Sequence, residues 1–239
     1  MRWNRPNHGM VPPDRFIGVA EMSGLIVPLG AWVLQEACRQ GAQWMVARAA
    51  AGVRGRLPSM SVNISPQQLS EPGFADVVAR VLDDTGFPAE FLWLEITEGA
   101  LLRDPAAAIA ILQALRALGV HLSIDDFGTG YSSLSYLKRL PVEALKIDSS
   151  FVEQLEHGAD DRAIVEAIVA LGRTLGLGIV AEGIERPDQA IELANLGCNI
   201  AQGFLYARPA DPAVIGAYLP KSVSDWESGH RFAPVADLR

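Results

Sequence analysis

The chain has 239 residues, 49% of them hydrophobic, and a formal net charge of -8 at pH 7. That length suits one large domain with a substantial core, and the acidic balance argues against a general DNA or RNA binder, which presents a basic face. Cys38 and Cys198 are too few and too isolated for a disulfide framework or a zinc site, so a reduced, cytoplasmic compartment is the simplest expectation. No membrane segment is expected, because the longest apolar candidate, Leu25 to Leu34, is interrupted by Pro28 and Gly30 and falls short of the roughly 18 to 20 residues a bilayer requires.

Apolar periodicity predicts a long helical region over Arg15 to Ala49, with Leu29, Val33, Leu34 and Ala37 on one face. A strand follows at Met60 to Ile64, then a helix at Gly73 to Thr85 and a strand at Leu92 to Thr97. The next elements are a helix at Asp104 to Leu118, a strand at His121 to Asp125 and a strand at Ala144 to Ile147. The series continues with a helix at Asp160 to Leu175, a strand at Gly178 to Ala181 and a helix at Pro187 to Leu196. It closes with a strand at Asn199 to Gly203 and a helix at Ala213 to Leu219. Residues 1–219 read as one domain and 220–239 as a polar, loosely attached tail. Alternation of strand and helix implies an α/β fold of parallel strands joined by crossover helices.

Polar residues gather where each strand ends: Asn63; Glu95 and Glu98; Asp125 and Asp126; Lys146 and Asp148; Glu182; Gln202. A (β/α) barrel collects all its strand ends around one mouth, whereas a doubly wound sheet would concentrate them near one switch point. The pattern therefore points to a TIM-like barrel. Such a barrel needs about eight strands, and only six are evident in this sequence. Asp125 and Asp126 cannot both point inward from a regular strand, so the strand is expected to end there and the following glycine-rich loop, Gly128-Thr129-Gly130, to re-aim the second carboxylate.

Asparagine and carboxylate oxygens, with no His or Cys among them, make a hard-ligand set suited to Mg2+ or Mn2+ rather than zinc. Two such ions around one mouth would support in-line displacement at phosphorus. Lys146 would orient or electrostatically stabilise the attacking hydroxide, and Glu182 would be a further ligand or a proton acceptor. Taken singly, each residue has an ordinary explanation: loop capping for Asp125 or Asp126, helix starting for Glu98 or Glu185, turn bracing for Asn63, pairing of Lys146 with Asp148. Their coincidence at successive strand ends favours a site. His8, His121, His157 and His230 have no matching spacing and are assigned to surface or packing roles.

The segments Phe16 to Ile26, Ser61 to Ser65 (SVNIS), Leu94 to Glu98 (LEITE), Asp125 to Leu134 (DDFGTGYSSL), Leu145 to Asp148, Ala181 to Glu185 (AEGIE), and Gln202-Gly203 with Arg208-Pro209 carry a resemblance. The chain resembles the EAL-domain cyclic di-GMP phosphodiesterases from Arg2 to about Leu219. The resemblance implies a (β/α) barrel that opens cyclic di-GMP to linear pGpG with Mg2+ or Mn2+. By matching position, Asn63, Glu95, Asp125, Asp126 and Glu182 look like metal ligands, and Lys146 looks like the residue that positions the catalytic water, with Asp148 beside it. Glu98 resembles the acid that holds the Gly128 to Ser133 loop, which the family links to dimerisation, so a homodimer is an expectation of likeness alone. Glu185 and Gln202 match further active-site positions, and Arg2 matches an arginine that contacts a substrate phosphate.

The family's Glu-Ala-Leu signature, whose Glu is a metal ligand, would lie just before the Arg2-Trp3 pair. The resemblance implies two strands ahead of Arg2, so the sequence is expected to begin inside the domain. Glu143-Ala144-Leu145 spells the same tripeptide but sits at the start of its strand, away from the mouth, and is expected to be a decoy. Two other readings are a non-catalytic cyclic di-GMP receptor or protein-interaction module, and an unrelated metal-dependent barrel enzyme acting on small carboxylates.

Overall fold

The structure is a computed structural model and describes residues 1–53, 57–102, 104–130, 134–155, 159–198 and 200–219. Tyr131 to Ser133, His157, Asn199 and the expected tail at 220–239 lie outside the described residues. An antiparallel hairpin, β1 (Trp3–Arg5) and β2 (Gly9–Val11), opens the chain. Helices α1 (Ile17–Met22) and α2 (Ile26–Ala50) follow. The alternating core then runs β3 (Met60–Ile64), α3 (Pro66–Ser70), α4 (Phe74–Thr85), β4 (Leu92–Thr97), α5 (Glu98–Leu101) and α6 (Pro105–Ala117). It continues as β5 (His121–Phe127), α7 (Leu134–Leu137), β6 (Ala144–Ile147), α8 (Ser149–Glu153) and α9 (Ala159–Leu175). The last elements are β7 (Gly178–Ala181), α10 (Pro187–Leu196), β8 (Ile200–Ala201) and α11 (Pro212–Tyr218).

Strands β3 to β8 form one parallel six-stranded sheet in sequential order, the strand order of a (β/α) barrel wall. Period-2 alternation explains the division of labour. Leu94 and Ile96, Leu122 and Ile124, and Leu145 and Ile147 are fully buried among the helices. Each such side chain contributes about 1.5–3 kcal/mol on leaving water. The intervening positions Glu95, Ser123, Asp125 and Lys146 share the opposite, interior face and are buried despite their polarity. No helix among the described residues is long and apolar enough to cross a membrane.

Two expectations need correction. The helical region over Arg15 to Ala49 is interrupted at Ser23 to Leu25, where Gly24 adopts φ +73 and turns the chain between α1 and α2. Strand β5 does not end at Asp125 but runs through both aspartates to Phe127. Ile124 pairs with Leu145 and Phe127 with Ile147, so three steps on β5 oppose two on β6. This is a bulge of one extra residue, with Asp125 and Asp126 together opposite Lys146. Asp126 takes the left-handed conformation, φ +52, and Phe127 returns to the buried apolar side. The second carboxylate is thus re-aimed by a bulge within the strand.

Candidate active site

Four ionisable side chains converge on the interior face of β4 to β7, toward the C-terminal strand ends. Lys146 Nζ lies 2.6 Å from Glu95 Oε2 and 3.0 Å from Asp125 Oδ1, and it also pairs with Glu182 Oε1. Lys146, Glu95 and Asp125 are buried, and Glu182 is half-buried at the end of β7. One ammonium facing three carboxylates leaves an excess of negative charge. Burial alone would lower the Lys146 ammonium, but the charges of Glu95, Glu182 and Asp125 outweigh it and hold it above the ordinary lysine value. Burial pushes Glu182 up to about 7; repulsion from Asp125 and Glu95 adds to that rise and Lys146 only partly offsets it.

Asp126 and Asp148 form a second acidic pair beside this group. Burial, followed by repulsion from Asp125 and Asp148, pushes Asp126 up to about 6, and the two carboxyls share a hydrogen bond. Burial would raise Asp148 as well, but it caps α8 and accepts hydrogen bonds from the Ser150 hydroxyl and from Ser150 N at 3.0 Å, which hold it low. A proton on Asp126 bonded to ionised Asp148 accounts for the opposite directions.

The donor set fits a divalent cation. Oxygens of Glu95, Asp125 and Glu182 lie within 4.8 Å of one another. Asp125 Oδ1 and Ser123 Oγ are buried without a hydrogen-bond partner among the described residues, while the Lys146 ammonium pairs electrostatically with Asp125 Oδ1 at 3.0 Å. Hard oxygen donors with an unfilled lone pair and excess negative charge suit Mg2+ or Mn2+. Asn63 is exposed on β3, in register with Glu95, and stands on the same face one strand away.

Glu98 starts α5, is buried, and accepts hydrogen bonds from Gly128 N at 3.2 Å and Gly130 N at 3.3 Å. It therefore anchors the described part of the loop after β5. Glu185 and Gln202 are exposed in the turns after β7 and β8, which are joined by Ile184 N donating to Gln202 O at 3.1 Å. Arg2 is not brought to the carboxylates: it is exposed beside the hairpin, and its guanidinium donates to Met1 O.

Comparison with known proteins decides the family, since the EAL domain family matches residues 1–209. The chain belongs to the EAL domain family. It is 50% identical over 209 residues to the bifunctional diguanylate cyclase/cyclic di-GMP phosphodiesterase MucR of Pseudomonas aeruginosa, covering 87% of this chain and 30% of that protein. It is 43% identical over 219 residues to the cyclic di-GMP phosphodiesterase NbdA of the same organism, covering 92% of this chain and 27% of the relative. The chain thus spans about a third or less of these relatives. Among solved structures, the MucR phosphodiesterase in complex with c-di-GMP superposes with a TM-score of 0.84 at 48% identity, covering 90% of this chain and 84% of that one. The EAL enzyme Bd1971, in a form bound to cAMP and cyclic di-GMP, gives 0.86 at 33% identity, covering 92% and 58%.

Within this EAL domain the tripeptide Glu143-Ala144-Leu145 lies at the N-terminal end of the strands, as expected. Glu143 accepts from Arg116 and bonds His121 Nδ1 at 2.8 Å, while His121 stacks on Trp93 with ring centroids 4.7 Å apart. The sequence reading missed Ser123 as an interior polar group. Its signal was present: two residues before Asp125, it shares that residue's strand face.

Proposed function

We propose that this EAL domain is a metal-dependent phosphodiesterase that opens cyclic di-GMP to linear pGpG. The observation that carries the reading is the convergence of Glu95, Asp125 and Glu182 on the Lys146 ammonium at the strand ends. The cyclic di-GMP phosphodiesterase activities of the relatives MucR and NbdA, and the c-di-GMP in the MucR phosphodiesterase structure, support cyclic di-GMP as the substrate.

Glu95, Asp125 and Glu182, with Asn63 and Asp126 beside them, would hold Mg2+ or Mn2+, and two ions suit five oxygen donors spread over four strands. Such ions supply Lewis-acid charge at the phosphoryl oxygen and lower the pKa of the attacking water. Lys146 is fixed by three carboxylates and directs a positive charge to the place where the attacking oxygen becomes anionic. Glu182, once ionised, would be one of the groups that hold the metal. Asp148 keeps Asp126 in place through their shared hydrogen bond. Glu98 keeps the loop after β5 in one shape by accepting from two of its amides.

Incubating the purified chain with cyclic di-GMP and Mn2+, with chromatographic detection of pGpG, tests this reading. Turnover is expected, and Asp125→Ala abolishes it. Tight binding of cyclic di-GMP by the wild type with no turnover would replace the enzyme by a receptor.

A further inference from the structure

Gln189, the third residue of α10, is only 2% exposed and is not one of the charged groups of the site. Its side-chain amide is divided among three main-chain groups. Oε1 accepts from Glu185 N and from Arg186 N, both at 3.0 Å, and Nε2 donates to Val152 O at 3.2 Å. Two N–H donors facing the same end of the amide fix that end as the oxygen. Starting α10 requires only an acceptor for the backbone at its N-cap, Arg186. The bond to Val152 does something else, since it reaches α8, 37 positions away in the sequence.

The two segments joined in this way both carry site residues. The turn from Glu182 to Arg186 begins with a carboxylate that pairs with Lys146, and Glu182 N donates to Ile147 O at 3.2 Å. Gly183, with φ +70, is pressed onto α8 so closely that a Cβ there would lie 2.5 Å from Ser149 Cβ. No larger residue fits without lifting the turn away from that helix. Helix α8 itself follows β6, the strand of Lys146, after its cap Asp148, and Asp148 shares a hydrogen bond with Asp126. The start of the turn is therefore bound to β6 and its end to Gln189, with α8 as the common support.

We infer that Gln189 is a positioning residue for the phosphodiesterase centre: it clamps the turn that begins at Glu182 onto α8 and so sets the Glu182 carboxylate against Glu95 and Asp125. The inference rests on the proposed function and deepens it, because Gln189 acts on the site through Glu182 without touching metal or substrate. Oxygens of Glu182, Glu95 and Asp125 lie within 4.8 Å of one another, a spacing that the backbone at the end of β7 must maintain. Groups that orient a metal ligand from behind contribute about 10- to 100-fold to metal affinity or activity. Both ends of the Gln189 amide are used, so a side chain of equal length without them keeps the packing and loses the clamp.

The test is calorimetric Mn2+ binding by the wild type, Gln189→Met, Gln189→Glu, Glu182→Gln and the double variant Gln189→Met with Glu182→Gln, with cyclic di-GMP hydrolysis and urea unfolding measured alongside. Gln189→Met should bind Mn2+ about tenfold or more weakly, and its kcat should fall while the KM for cyclic di-GMP stays near wild type. Gln189→Glu, which keeps an acceptor for the amides of Glu185 and Arg186, should recover most of the Mn2+ affinity. In the Glu182→Gln background the Met substitution should cost less than about twofold in Mn2+ affinity, because the carboxylate it positions is already gone. Gln189→Asn, too short to reach both the Glu185 amide and Val152 O, carries the test if Gln189→Met does not fold. A lower urea midpoint with unchanged Mn2+ affinity and kcat, or losses that multiply in the double variant, would make Gln189 a helix cap alone and overturn the inference while the proposed function stands. A wild type that binds Mn2+ but does not hydrolyse cyclic di-GMP overturns the proposed function as an enzyme, and the Mn2+ series still decides the role of Gln189. A wild type that binds neither Mn2+ nor cyclic di-GMP overturns both.

Discussion

The Lys146 ammonium sits 2.6 Å from a Glu95 carboxylate oxygen although both side chains are buried. Burial works against the Lys146 charge, and the surrounding carboxylates of Glu95, Glu182 and Asp125 hold it in place. Lys146→Met removes the positive centre and leaves three carboxylates facing one another. Removing one partner of a buried ionic group typically costs about 3–5 kcal/mol. The metal-free variant should therefore unfold at clearly lower urea than the wild type, and Mn2+ should recover part of the difference. Turnover of cyclic di-GMP should fall about 100-fold or more even at saturating Mn2+, because the loss is of charge at the attacking oxygen. Stability unchanged without metal would contradict the pairing.

Glu98 and Gly130 predict a different kind of defect. A Cβ on Gly130 would lie 2.7 Å from Glu98 Oε1, so Gly130→Ala must push the carboxylate away from the amides of Gly128 and Gly130. The disturbance centres on the contact between Glu98 and the loop after β5. Denaturant stability should drop by about 1 kcal/mol, the usual worth of such a hydrogen bond, while kcat falls about tenfold or more. Glu98→Gln, which keeps one acceptor oxygen, should retain more activity than Glu98→Ala. Equal activities for the two would show that the acceptor does not matter.

Glu143 gives the contrasting case. It bonds Arg116 and His121 at the far end of the strands, with about a third of its side chain exposed. Glu143→Ala should lower stability by about 1 kcal/mol and leave kcat, KM and Mn2+ affinity unchanged. A large loss of activity per folded molecule would mean that the tripeptide at 143–145 is functional after all.

The sheet was legible because its strands are short apolar runs punctuated by turns, and four of them, β3, β4, β6 and β7, begin and end where the pattern places them. Glu95, Asp125, Lys146 and Glu182 were legible as a group because strand ends in a barrel share one mouth, a property of topology and not of any one residue. Three-dimensional detail was not. The bulge at Asp125-Asp126 depends on how β5 registers with β6, which no local pattern encodes. The pairing of Lys146 with Glu95, 51 positions away, displaced the nearer and more obvious Asp148, which instead caps α8. The short helix α3 could have been read, since Ser65-Pro66-Gln67-Gln68 has proline at the first turn and a reciprocal Ser65–Gln68 capping box.

Two protons stored at the site set its response to pH. Burial, with the charges of Asp125 and Glu95, pushes Glu182 up to about 7, and burial with Asp125 and Asp148 pushes Asp126 up to about 6. Between about pH 4 and pH 7 the folded, metal-free chain thus holds protons that the unfolded chain has already released. Stability falls with rising pH wherever the native state binds more protons, so these two groups destabilise the metal-free fold progressively across that window and fully above it. Metal binding requires ionised carboxylates, so loading must expel those protons. Calorimetric titration with Mn2+ at pH 6, repeated in buffers of different ionisation enthalpy, should show release of roughly one to one and a half protons, from mostly protonated Glu182 and half-protonated Asp126. At pH 8 the release from these groups should approach zero and the apparent affinity should be higher. Glu182→Gln should remove most of the proton release at pH 6 and weaken Mn2+ binding at both pH values. Equal proton release at pH 6 and pH 8 in the wild type would show that neither carboxyl stores a proton in the metal-free site.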